Sequence, residues 1–349
     1  MQRVIDKILR IALRSAAFSF GCMCTAAVAG PSAMGQTNIF APESTPAKSI
    51  FHLSIFVLTV TGIIFGVVAT LLIYSILKFR ARSASANSEP AQVYGSTQIE
   101  LAWTVIPILI VVVLVVATAR GIHQIQDAPM PPSAVEVTVI GHQFWWEYRY
   151  PQLGVVTANE LHIPVSAKAH PKPTFLQLLS ADTDHSFWVP ELAGKTDLIP
   201  NHPNRIWMDP QHTGIFVGQC AQYCGIQHAK MLLRVFVDSP EDFAEWVREQ
   251  QRPAIADERV AAGRRVFETT SCINCHSISG TVANGRFGPD LTHLMSRTTI
   301  AAGAALNTPD NLRLWIENPA AIKPGSLMPA MQLSKSDQDA LVAYLVTLR

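Results

Sequence analysis

Two long apolar runs dominate the pattern of the chain. Residues 50–77, "IFHLSIFVLTVTGIIFGVVATLLIYSIL", carry no Asp, Glu, Lys or Arg, and residues 99–119, "IELAWTVIPILIVVVLVVATA", carry only Glu100. At about 1.5 Å per residue, each covers the ~30 Å hydrocarbon core of a bilayer, so both are predicted transmembrane helices. Pro107 kinks the second, which a membrane bundle tolerates. From residue 133 to 238 the texture changes to short apolar runs broken by Pro and Gly. These include the partly alternating "AVEVTVIGHQFWWEYRYP", then "TFLQLLSAD", "TGIFVGQC" and "KMLLRVFVD". Strands at this spacing predict a small all-β sandwich or barrel. A polar helix and linker, 239–256, leads to a separate C-terminal unit, 257–349, which closes on the helical "QDALVAYLVTL".

The ends of the spans carry the topology. Lys78, Arg80 and Arg82 follow the first run directly, so the loop between the spans is cytoplasmic and everything after Arg120 lies outside. Residues 1–35 read as a cleaved signal peptide, with Arg3, Lys7, Arg10 and Arg14 before a short apolar stretch and an Ala27-Val28-Ala29 cleavage candidate. The competing readings are a third span or a lipid-modified Cys22. The remaining 36–121 form the transmembrane hairpin.

Across 349 residues, only 15% are charged and the net charge is +1. With no basic stripe, nucleic acid is not an expected partner. The six cysteines fall into Cys22/Cys24, Cys220/Cys224 and Cys272/Cys275, and the last two spacings suit chemistry better than a disulfide framework.

In "CAQYCGIQHAKM", Cys220, Cys224, His228 and Met231 share one loop between predicted strands, and His185 comes from the separate turn "DHSFWVPEL". Three readings compete. A disulfide leaves His and Met incidental, and zinc takes Cys₂His₂ but has no use for Met231. Copper uses soft thiolates, imidazoles and a weak thioether together. A mononuclear copper site wastes one thiolate, whereas two thiolates this close can each bridge two ions. Further on, Cys272 to His276, "CINCH", is the attachment sequence for a c-type haem. A thioredoxin-like Cys-x-x-Cys or a zinc knuckle is the alternative, but no βαβ pattern lies nearby.

With the two helices, "IELAWTVIP", "GHQFWWEY", "DHSFWVPEL" and C-x-x-x-C-G-x-x-H-x-x-M in that order, the chain resembles subunit II of the haem–copper cytochrome c oxidases. The resemblance implies a cupredoxin barrel holding the dinuclear copper centre CuA. Its ligand pattern falls on His185, Cys220, Cys224, His228, Met231 and the backbone carbonyl of Gln222. Most of the family has Glu at the Gln222 position, where the carboxylate also helps bind Mg²⁺ beside subunit I. The substitution leaves the carbonyl ligand in place and makes that magnesium contact doubtful. Phe144 stands where the family has the Trp that receives electrons from soluble cytochrome c. Trp145 and Trp146 remain, as core residues or as part of an electron path.

The C-terminal unit resembles a class I cytochrome c. Gly263 and Phe267 precede Cys272 at the spacing of that family's first helix, and the closing helix, capped by Ser334 with Asp337, packs on it. "FGPDL" resembles the turn whose Pro289 carbonyl orients the iron ligand His276. Met328 in "KPGSLMPAM" matches the sixth-ligand pattern, with Met331 and the weaker Met295 as rivals.

Taken together these features imply a caa-type oxidase subunit in a bacterial cytoplasmic membrane, with both redox domains on the periplasmic side. Electrons would pass from an external cytochrome c to haem c, to CuA, and on to haem a and CuB of subunit I. Oxygen would be reduced there with proton pumping, and subunit III completes the complex. Glu100 falls where the family places a glutamate near the mouth of a proton channel; a solvated helix N-terminus is its plain alternative. The rival functions are a membrane-anchored carrier serving another terminal reductase and a copper-delivery protein.

Overall fold

The first apolar run lies within helix α1, Thr45–Lys78, and the second within α2, Thr97–Gln126. The computed structural model of the chain describes residues 37–80, 92, 94–126, 128, 130–166, 171–254 and 257–349. The signal segment 1–35 and Arg82 lie outside the described residues. Both helices exceed the apolar runs that nucleate them, and their apolar side chains are almost wholly exposed. A soluble monomer rarely leaves so much apolar surface bare, and lipid is the solvent that accepts it.

The hairpin is fixed to the next domain at both of its outer ends. The Thr45 amide and hydroxyl each donate to the Asp209 carboxylate at 2.6 Å, and Ser44 Oγ donates to the Leu192 carbonyl. From the other helix, the Ile125 carbonyl accepts from Trp207 Nε1 at 2.7 Å.

That domain is a sandwich of two five-stranded sheets. Its strands are β1 Val135–His142, β2 Trp145–Tyr150, β3 Val155–Ala158, β4 Glu160–Pro164 and β5 Thr174–Ser180. The chain continues through β6 His185–Trp188, β7 Thr196–Leu198, β8 Asn204–Met208, β9 Gly214–Cys220 and β10 Leu232–Asp238. One sheet runs β3-β2-β1-β5-β8 and the other β4-β10-β9-β6-β7. In β10 every second side chain is buried, as one solvated and one packed face require. Trp146, Tyr148, Leu161, Leu176 and Phe187 fill the space between the sheets.

Helix α3, Pro240–Gln250, follows β10. Ser239 Oγ accepts from the Asp242 amide, Pro240 occupies the first turn, and Glu241 and Asp242 favour the helix dipole there. Its composition is polar, but Phe243 and Val247 are buried against the sandwich core. Trp246 stacks on His162, ring centroids 4.4 Å apart. The segment expected as a polar helix and linker is therefore partly a docked amphipathic helix. Each such apolar side chain contributes about 1.5–3 kcal/mol when fully buried.

The C-terminal domain has its own core. It contains α4 Ala261–Thr269, the single turn α5 Cys272–Cys275, α6 Pro309–Glu317, α7 Pro319–Ile322 and α8 Lys335–Leu345. Helices α4 and α8 cross at Gly263, where a Cβ would come within 1.9 Å of the Ala340 carbonyl oxygen. Glycine alone allows that approach, and Phe267 meets Tyr344 one turn along. Ser334 Oγ caps α8 by accepting from the Asp337 amide at 3.1 Å.

This domain sits against the sandwich. Glu160, 2% exposed, accepts from the amides and hydroxyls of Thr298 and Thr299 at 2.6–3.0 Å. The Leu232 amide, at the start of β10, donates to the Ala302 carbonyl at 3.1 Å.

Candidate metal and haem sites

The end of β9 and the start of β10 hold the loop 220–231, and β6 lies beside β9 with Phe187 opposite Cys220. That pairing brings His185 to the loop. Cys220 Sγ lies 4.0 Å from His185 Nδ1, 3.8 Å from Cys224 Sγ and 3.1 Å from the Gln222 carbonyl oxygen. Cys224 Sγ lies 3.8 Å from His228 Nδ1 and 3.9 Å from Met231 Sδ. A disulfide needs about 2.05 Å between sulfurs, so the two thiols are unbridged. Two donors held about 2.3 Å from one ion at tetrahedral angles stand about 3.8 Å apart, and these spacings fit that arrangement. His185, Cys220, Cys224 and Met231 are all buried. The buried thioether within a thiol and imidazole cluster fits copper better than zinc.

The electrostatics suit thiolate ligands. The hydrogen bond from Cys224 is the main reason the Cys220 thiol is held down at about 3, and Cys224 is pushed up in turn by its ionised neighbour. The pair therefore gives up its first proton easily, and a cation is needed to draw off the second. Burial alone would lower the His185 pKa, but bonds to Asp182 and Cys220 raise it. Asp182 Oδ1 lies 2.7 Å from His185 Nε2, leaving Nδ1 toward the sulfurs. Asp182 also accepts from the amides of Gln143 and Thr183. Burial would raise its carboxyl, yet these bonds hold it below its ordinary value. Such a partner orients a ligand imidazole.

In the C-terminal domain, Cys272, Cys275, His276, Met328 and Met331 line a cavity of about 310 Å³. His276 Nδ1 is 2.7 Å from the Pro289 carbonyl, which can only accept, so the proton is on Nδ1 and Nε2 keeps a lone pair. Burial holds this imidazole below its ordinary pKa, and the bond to Pro289 only partly offsets it. Buried Arg297 also lines the wall, and its Nε has no partner among the described residues, an orphaned donor suited to an anionic haem carboxylate. Two unbridged cysteines, a neutral imidazole and this donor fit a haem.

The structure brings His185, Cys220, Gln222, Cys224, His228 and Met231 together at one site and Cys272, Cys275, His276, Pro289 and Met328 at the other. Met331 shares the second cavity, whereas Met295 packs against the domain core. Trp146 is core, edge-on to His185 and Phe187. Trp145 stacks on His142 at 4.2 Å and lines the C-terminal cavity. Glu100 is exposed in the first turn of α2. Sequence reasoning did not single out Asp182, Gln143, Arg297 or Lys323. Only Asp182 had a usable cue, its place three residues before a candidate ligand.

Three family profiles match the chain in series. They are the transmembrane domain of cytochrome c oxidase subunit II over residues 31–119, its periplasmic domain over 159–237, and cytochrome c over 260–349. A cytochrome c oxidase subunit 2 of Alkalihalophilus pseudofirmus is 34% identical over 329 residues, covering 90% of this chain and 92% of the relative. Another, from Bacillus sp. strain PS3, is 33% identical over 291 residues, 78% of this chain and 80% of the relative. The periplasmic domain of subunit II of cytochrome oxidase from Bradyrhizobium japonicum is 29% identical, covering 35% of this chain and 96% of that one, with a TM-score of 0.32.

Proposed function

Because the chain belongs to the cytochrome c oxidase subunit II family, we propose that it relays single electrons from an external cytochrome c, through a covalent haem c and a dinuclear CuA centre, to subunit I. There they reach haem a and CuB, and O₂ is reduced to water with proton pumping. Subunit III completes the assembly, in a bacterial cytoplasmic membrane with both redox domains periplasmic. The observation that carries this reading is the set of two buried thiols, a buried and a half-buried imidazole and a buried thioether, docked in one body with a Cys-x-x-Cys-His cavity.

His185, Cys220, Cys224, His228, Met231 and the Gln222 carbonyl would hold the copper pair. Cys272 and Cys275 would hold the haem through thioether bonds, with His276 and Met328 on its iron. When bound, the two groups supply one-electron couples. Most of the side chains that would hold them are buried or half-buried, which limits the solvent that reorganises around each electron. Asp182 fixes the His185 ring and Pro289 the His276 ring. Cys220 and Cys224 release their protons on loading. Gln222 offers magnesium an amide oxygen in place of a carboxylate, which leaves Mg²⁺ binding by this chain doubtful.

Purification of the complex, with copper and haem types counted, tests the reading. We expect two tightly held coppers and one haem c per chain, with an EPR hyperfine pattern of one electron shared by two copper nuclei. Copper bound without that pattern sinks the dinuclear assignment. Glu100, at the cytoplasmic end of α2, is proposed to serve proton delivery to subunit I. Glu100→Gln is then expected to slow oxygen turnover and proton uptake together in the assembled complex. Unchanged rates would return Glu100 to a solvated helix N-terminus.

A further inference from the structure

The copper loop and the C-terminal cavity share a wall, and Phe144 is in it. Its ring lies so close to Gly225 that a Cβ there would come within 2.9 Å. Gly225 has φ +132°, so that position excludes a side chain both by backbone conformation and by space. Gln143, Phe144 and Trp145 all line the cavity. On the copper side, Gln143 Nε2 donates to the Cys224 carbonyl at 2.6 Å. On the other side, the Phe144 carbonyl accepts from Lys323 Nζ at 2.7 Å.

Lys323 is an unusual residue to find here. It is 3% exposed, and its Nζ meets two backbone carbonyls, the second being Ala301 at 3.3 Å. Burying an amine head against backbone carbonyls is costly. The lysine is not needed merely to attach the domains, since Glu160 with Thr298 and Thr299 does that at another place. Lys323 belongs to the segment that leads to Met328. It therefore ties that segment to the residue touching the copper loop. Around it the loop also meets the C-terminal domain through Lys230 Nζ, which donates to the Ile322 carbonyl at 3.1 Å.

We propose that Gln143–Phe144 is the bridge by which an electron crosses from the haem cavity to the copper site, and that Lys323 is the positioning residue that clamps this bridge to the haem domain. The inference rests on the relay reading above and adds its path. Tunnelling is faster through bonds than across gaps. From the cavity wall the route runs along the Phe144–Gln143 backbone and the Gln143 side chain. It then crosses one hydrogen bond to Cys224, itself a proposed copper ligand. One electron leaves the haem iron and one arrives at the copper pair; no bond breaks and no proton is transferred. The same packing leaves Phe144 9% exposed, so this residue faces the haem domain and is largely closed to a soluble donor.

The test uses the full-length chain carrying both groups. The haem is photoreduced by one electron, and its reoxidation by copper is followed optically. Lys323→Met is expected to slow this internal transfer about tenfold or more, as small misplacements of reacting groups do, while the bimolecular reduction of haem by a cytochrome c donor is unchanged. Lys323→Arg should restore most of the rate. Gln143→Leu should slow transfer similarly with the copper EPR pattern retained. Gln250→Ala removes a different interdomain bond, to Ser296 at 3.2 Å, and should leave the rate as it was. In the chain prepared without copper, Lys323→Met should raise amide exchange at 143–146, whereas Gln250→Ala should not. Equal rates in Lys323→Met and the parent overturn the clamp, as does equal slowing by Gln250→Ala. A parent chain that passes no electron at all overturns the relay itself.

Discussion

Cys224→Ser is expected to empty the copper site. The Cys224 sulfur stands within 4 Å of Cys220, His228 and Met231, so it is the donor common to most of the cluster. A hydroxyl is a hard, weakly acidic replacement that does not bridge soft ions. Copper content should fall from two per chain toward zero, and the shared-electron EPR pattern should vanish. The sandwich itself should survive. Serine is close in size, and a buried hydroxyl left without a good partner costs about 1–3 kcal/mol. Copper should also stop raising the Tm of the domain, since a ligand that binds only the folded state stabilises it by mass action. Two retained coppers with an unchanged spectrum would rule out Cys224 as a ligand.

Met328→Leu should remove the sixth iron ligand. A thioether favours ferrous iron and raises the haem potential, so its loss should lower the potential sharply and abolish the low-spin methionine-ligated spectrum. Covalent attachment through Cys272 and Cys275 should persist. Met331→Leu should leave spectrum and potential near those of the parent. Met331 lines the same cavity, so the reverse pattern would transfer the ligand role to it, and potentiometric titration of both variants separates the cases.

How much of this was legible in the sequence depended on range. The membrane helices were, because a bilayer demands an apolar run of fixed length and tolerates few exceptions. The loop 220–231 and Cys272 to His276 were legible as motifs too, since each gathers several candidate donors within one turn or loop, whereas His185 and Met328 join them from elsewhere in the chain. The crossing at Gly263 was visible as a spacing, and the structure supplies its cause in the Ala340 carbonyl. Helix α3 was read as polar because its apolar stripe is only Phe243, Trp246 and Val247, too short to stand out among charges. The docking of the two outer domains left no trace in the pattern. Glu160 meets Thr298 across 138 positions and Lys323 meets Phe144 across 179, and neither contact imposes a local period. Trp145 was ambiguous for the same reason. An aromatic beside a strand turn suits a core or a wall equally, and only the neighbour across the interface decides.

The fastening of the hairpin to the sandwich has a mechanical meaning. With Thr45 held by Asp209 and Ile125 by Trp207, the β-sandwich head is bolted to two points on its stalk, not hung from one flexible tether. Two attachment points remove swivel about the membrane normal, so the head keeps one azimuth toward whatever lies beside the hairpin in the bilayer. An oxidase subunit packed beside the hairpin would then meet the same flank of the sandwich each time, with no search over orientations.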